Sequence, residues 1–129
     1  MVMRLKVKPV NVLVVQVYAP CDVEGSVEKK EKNEEEKDRF YERLDQVIEE
    51  YRKGRECLVV MGDFNGKVGE GREEDTVGPY GLGERNDNGE RVVNFLQEAQ
   101  SICNKHLVST EEVCTAYLDI TRQSDKKIK

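Results

Sequence analysis

Two apolar runs stand out from a largely polar chain, Val10 to Tyr18, broken only by Asn11 and Gln16, and the unbroken Leu58 to Met61. Runs without alternation belong to strands buried on both faces, so each predicts a buried β-strand. The first is rich in Val and stops at Ala19-Pro20, because proline cannot continue a ladder. Between the runs, Phe40, Leu44, Val47, Ile48 and Tyr51 recur at helical spacing and make one apolar stripe. That spacing predicts a helix ending at Gly54, with Arg52 and Lys53 in its last turn. The preceding stretch, Asp22 to Asp38, is dominated by Glu and Lys and contains Gly25 and Asn33. It predicts a solvated loop whose latter half becomes the first turns of that helix. Strand, helix and strand in this order imply a right-handed crossover between parallel strands.

Most of the ten glycines crowd the stretch from Gly62 to Gly89. They predict a long irregular loop from Gly66 onward. Asn86-Asp87-Asn88 supplies helix N-caps, and Val92, Val93, Leu96, Ala99 and Cys103 make another apolar face. A second helix is expected from Glu90 to Ile102. Beyond Asn104, Leu107-Val108 suits a short strand, while Ser109 with Glu112 suits a helix start. Arg122 to Lys129 is polar and lysine-rich, and is expected to be disordered. The pattern divides the chain into a domain over residues 1–104 and a divergent tail over 105–129.

At 129 residues, 37% hydrophobic and 36% charged, the chain has room for one small domain with a thin core. Its net charge of −5 argues against a general polyanion binder, which needs clustered Lys and Arg. Any nucleic-acid contact must be local or bridged by a cation. Cys21, Cys57, Cys103 and Cys114 show no close pairing, and His106 is the single histidine. That set speaks against a zinc site and suits reduced thiols in an intracellular protein, nuclear or cytoplasmic. Arg4, Lys6 and Lys8 precede an apolar run, as in a signal peptide. Asn11 and Gln16 interrupt that run, however, and no small-residue cleavage site follows. No stretch is long enough to cross a membrane, and no membrane partner is expected.

Candidate chemistry gathers at the end of the second run, in Gly62-Asp63-Phe64-Asn65-Gly66. On an extended backbone Asp63 and Asn65 share a face, with Phe64 on the other. An acid beside an amide suits a metal ion or a phosphate oxygen; the same residues also suit an Asx turn. Tyr18 falls at the carboxyl end of the first strand, where an aromatic also serves as packing. Parallel strands share one carboxyl edge, and in open α/β sheets that edge is where ligands bind. Tyr18, Asp63 and Asn65 are therefore expected in one cleft. Gly81-Leu82-Gly83 lacks the G-x-x-x-x-G-K-[ST] pattern of a phosphate-binding loop.

Four stretches occur in the order of a known family: Gln16-Val17-Tyr18-Ala19-Pro20, Asp38-Arg39-Phe40-Tyr41, Met61-Gly62-Asp63-Phe64-Asn65 and Gly81-Leu82-Gly83-Glu84-Arg85-Asn86-Asp87-Asn88-Gly89-Glu90-Arg91. From about Val7 to Leu96 the chain resembles the endonuclease domain of LINE-type (non-LTR) retrotransposons. Within that group it most resembles the proteins labelled craniofacial development protein 2-like. The resemblance points to the endonuclease/exonuclease/phosphatase superfamily. It implies an α/β fold, here a partial four-layer α/β sandwich of DNase I-like kind, with a β-α-β unit carrying the site. It also implies magnesium-dependent hydrolysis of DNA phosphodiesters. By position, Asp63 resembles the acid that orients or deprotonates the attacking water. Asn65 resembles the amide that holds Asp63 and the phosphate, and Tyr18 the phenol that donates to a phosphate oxygen. Asp63 and Asn65 are the residues the resemblance offers to magnesium.

Departures from the family shape the expectation. Family members carry an earlier strand with an Asn and a Glu, the latter the principal metal ligand, and a later Ser-Asp-His triplet. Neither has a counterpart in these residues. Ser124-Asp125-Lys126 places Lys where the histidine belongs, and His106 sits in no matching context. The expectation is a truncated, inactive, retrotransposon-derived endonuclease-like domain with weak or absent DNA binding. The alternatives are an active divergent metal-dependent nuclease or phosphodiesterase, and a non-catalytic interaction module. Half of a two-sheet sandwich leaves an apolar sheet face uncovered, so self-association through that face is also expected.

Overall fold

The structure is a computed structural model that describes residues 1–54, 56–70, 76–77 and 83–105, with 100–105 described by backbone alone. The expectations for Leu107-Val108, Ser109 to Glu112 and Arg122 to Lys129 lie outside the described residues. The elements are β1 (Val2–Leu5), β2 (Asn11–Tyr18), α1 (Val27–Tyr51), β3 (Glu56–Asp63) and α2 (Asp87–Lys105). They make a mixed α/β unit with one three-stranded sheet in the order β1-β2-β3. β2 and β3 are parallel, in register from Asn11 opposite Glu56 to Tyr18 opposite Asp63. That is the pairing implied by the strand-helix-strand order. β1 runs antiparallel to β2, from Val2 opposite Val15 to Leu5 opposite Val12.

β1 is an element the sequence pattern did not announce. Four residues are too few to display alternation, and the basic residues around it hide the short apolar pattern. Arg4 instead faces the helices: its Nε lies 2.8 Å from the Glu56 carboxylate, and its Nη2 donates to the Tyr51 carbonyl. One guanidinium thereby joins β1, the start of β3 and the end of α1.

α1 begins at Val27 and runs for 25 residues, so the charged stretch expected as loop is mostly helix. Glu and Lys are good helix formers, and the stripe continues backward through Lys37 and Asn33, both buried. The helix ends at Tyr51, whose ring is exposed. The Arg52 N–H donates to the Ile48 carbonyl at 2.9 Å, which places Arg52 and Lys53 beyond the last turn. α2 starts at Asp87, ahead of the expected Glu90, because Asn86 caps it: Asn86 Oδ1 accepts the Gly89 N–H at 2.9 Å. The stretch after β3 is partly strapped to the residues before α2. Glu70 N–H donates to the Gly83 carbonyl at 3.0 Å and Asn86 N–H to the Lys67 carbonyl at 3.2 Å.

Alternation sorts the sheet into two faces. Leu13 and Val15 of β2 and Leu58 and Val60 of β3 pack with Leu44, Ile48, Phe64, Val92, Phe95 and Leu96. Tyr41 sits beside this core, its ring 5.1 Å from that of Phe40 and 6.0 Å from that of Phe95. The opposite face carries Met3, Leu5, Val12, Val14, Cys57, Val59 and Met61. None of these belongs to the helix-covered core, and Met3, Leu5 and Met61 are exposed. Among the described residues, no helix is long and apolar enough to cross a membrane.

Candidate functional site

The site begins with two strands that finish level. Tyr18 and Asp63 are in register, and in a parallel pair residues in register point to the same face. The Ala19 N–H then donates to the Asp63 carbonyl at 2.8 Å. Gly62 permits this close finish. Its φ is +140°, and a Cβ there would lie 1.9 Å from the Val17 carbonyl oxygen.

β3 ends at Asp63, and the chain turns at once. Asp63 Oδ1 accepts the Asn65 N–H at 2.9 Å, which is an Asx turn. Asn65 takes φ +50°, a left-handed conformation that asparagine tolerates better than most residues. The acid and the amide are thus brought together by the turn, not by strand alternation. Phe64, between them, is 1% exposed and in the core. Asn65 Nδ2 reaches across to donate to the Ala19 carbonyl at 2.7 Å. Tyr18 is 71% exposed, so its ring is not a packing residue. Tyr18, Asp63 and Asn65 all stand at the carboxyl edge of the sheet.

Four residues that the sequence reading left out of the site support this edge. Asn88, 2% exposed, donates through Nδ2 to the Pro20 carbonyl at 3.0 Å and to the Asn65 carbonyl at 3.1 Å. Asn33 Nδ2 donates to the Cys21 carbonyl at 3.1 Å. Lys37 Nζ, nearly sealed from water, donates to Asp22 at 2.7 Å, Glu34 at 2.8 Å and Asp87 at 3.0 Å. Arg91 reaches Glu34 at 2.7 Å, Asp87 at 3.1 Å and Asp38. Burial alone would lower the Lys37 pKa, but hydrogen bonds to Asp22, Glu34 and Asp87 outweigh it and push the pKa above the lysine range. Burial likewise opposes the Asp87 charge, and the bonds from Lys37 and Arg91 overcome it, holding that carboxyl below its ordinary value.

Chemically, the edge presents a phenol donor, one carboxylate and one carboxamide. A phenol and an amide suit phosphate oxygens, and a carboxylate suits a water proton or a cation. Magnesium asks for six oxygens in near-ideal octahedral geometry. Here one Asp63 oxygen already accepts the Asn65 N–H. Among the described residues, no three His, Cys, Asp or Glu side chains gather to hold a metal ion. These residues alone do not fit a magnesium site. Cys21 is an exposed, free thiol.

No protein-family profile matches the chain, and no solved structure matches it. Two curated proteins do. Craniofacial development protein 2 of Bos taurus is 37% identical over 106 residues, covering 81% of this chain and 16% of that protein. Its namesake from Tragulus javanicus is 36% identical over 95 residues, covering 72% of this chain and 15% of its own length. The chain therefore spans about a sixth of the length of the curated relatives it matches. By homology the chain is a relative of craniofacial development protein 2, equivalent to a minor part of it.

Proposed function

We propose that this chain is an endonuclease-like unit of LINE-type retrotransposon origin, part of a DNase I-like four-layer sandwich of the endonuclease/exonuclease/phosphatase superfamily. Its carboxyl edge is read as a partial phosphodiester site. Tyr18 donates to a phosphate oxygen, Asp63 accepts from the attacking water, and Asn65 holds Asp63 in place through the turn. By itself the unit is catalytically silent. The observation that carries this reading is the meeting of Tyr18, Asp63 and Asn65 at one strand edge with only one carboxylate among them. Groups that act as a unit in catalysis fail together, so no hydrolytic step is assigned to these residues alone. Magnesium remains the cofactor proposed for a complete version, with its principal ligand supplied from outside these residues. DNA is the proposed target of that version. Binding by this chain is weak, because its net charge is −5 and Arg4 is already paired with Glu56. Four cysteines without close pairing in the sequence suit reduced thiols and an intracellular setting, nuclear or cytoplasmic.

Plasmid nicking in magnesium, run beside Asp63→Ala, tests the proposal. No nicking by either protein is the expected result. Nicking that Asp63→Ala abolishes would instead make the chain an active divergent nuclease.

A further inference from the structure

Beyond Tyr18 the chain leaves the sheet, and three consecutive carbonyls are each taken by an asparagine side chain from a different part of the fold. Ala19 O accepts from Asn65 after β3 at 2.7 Å. Pro20 O accepts from Asn88 in the first turn of α2 at 3.0 Å, and Cys21 O from Asn33 in α1 at 3.1 Å. Carbonyls at a strand exit have no ladder partner and are ordinarily met by water. Here Asn33 and Asn88, only 7% and 2% exposed, take that role from within the fold. Helix stability does not account for Asn33, since asparagine is a poor helix former and occupies a position on the apolar stripe. Asn88 also donates to the Asn65 carbonyl at 3.1 Å, so one amide spans both strand exits.

We infer that Asn33 and Asn88 are positioning residues, which clamp the main chain after β2 and thereby set the Tyr18 phenol relative to Asp63 and Asn65. The Tyr18 ring is exposed, so its place is set by the main chain and not by packing around the ring. The inference rests on reading this edge as a phosphodiester site, but the clamp is tested without any ligand. Failure of the clamp and failure of that reading are therefore separate results.

The test uses the 129-residue chain labelled with 3-fluorotyrosine, the Tyr18 fluorine signal being assigned by its loss in Tyr18→Phe. Asn33→Ala and Asn88→Ala should each move that signal toward the free-tyrosine position. Each should also speed amide exchange at Ala19, whose N–H donates to the Asp63 carbonyl, by about tenfold, the size expected for one weakened hydrogen bond. Leu44→Ala, a core change away from the clamp, should lower the unfolding temperature at least as far and leave both readouts in place. Should Asn88→Ala fail to fold, Asn33→Ala, which removes the bond to Cys21 O, decides alone. A Tyr18 signal unmoved in the folded asparagine variants, or moved equally by Leu44→Ala, would overturn the inference.

Discussion

At the scale of single residues, the site depends on one glycine and one turn. Gly62 brings β3 against β2 at the point where a Cβ would sit 1.9 Å from Val17 O. Gly62→Ala should therefore cost more than the ~1–3 kcal/mol of ordinary backbone strain and displace the strand ends. Urea unfolding measures this, and an unchanged midpoint would contradict it. Tyr18, Asp63 and Asn65 were legible as neighbours because strand order alone fixes which edge they share. The way Asp63 and Asn65 meet was not, since the spacing fits both an extended strand and an Asx turn, and only the φ of +50° at Asn65 separates the two. Asn33 and Lys37 went unnoticed for a different reason. Both lie on the stripe that continues through Phe40, Leu44 and Ile48, but their polarity made them look solvated. A polar side chain at a stripe position is the signal that was there to find.

At the scale of elements, α1, α2 and the loop after β2 are joined by ion pairs around Lys37 and Arg91 rather than by apolar contacts alone. Lys37 is 2% exposed while its acidic partners are about half exposed. Lys37→Met would leave Asp22, Glu34 and Asp87 without their shared cation, at an expected cost of about 2 kcal/mol. Chemical denaturation checks this, and a gain in stability would contradict it. The pH dependence has a definite sign. Asp87 has a folded-state pKa below its unfolded value, so its contribution is present above the unfolded value and lost as pH falls through the folded one. Lys37 is shifted upward, so its contribution holds below the ordinary lysine value and fades only as pH rises past the folded one. Neutral pH lies between those limits. Stability should fall on acidification below about pH 4, and Asp87→Asn should flatten that fall. An unaltered acid limb in Asp87→Asn would assign the loss to other carboxylates. Helix and strand types were readable from period, while β1 was too short and α1 too charged at its start for period to locate them.

At the scale of the whole molecule, the sheet is covered on one face only among the described residues. Met3, Leu5, Val12, Val14, Val59 and Met61 share the other face, and apolar area of this kind favours association. Light scattering should show mass rising with concentration, and Val14→Lys or Val59→Lys should return it to the monomer while leaving the far-UV spectrum unchanged. A monomer at every concentration would show that the face is tolerated by itself. The β-α-β order was readable because chain connectivity constrains it. The proposal that the edge bearing Tyr18, Asp63 and Asn65 takes up a phosphodiester is put to the test by nuclear magnetic resonance. Backbone and side-chain resonances are followed as a dithymidine phosphodiester is added in magnesium buffer. Perturbations confined to Tyr18, Ala19, Asp63, Asn65 and their neighbours, and abolished in Asn65→Ala, are the predicted result. Perturbations centred on Lys6 and Lys8, or none at the carboxyl edge, would contradict the account.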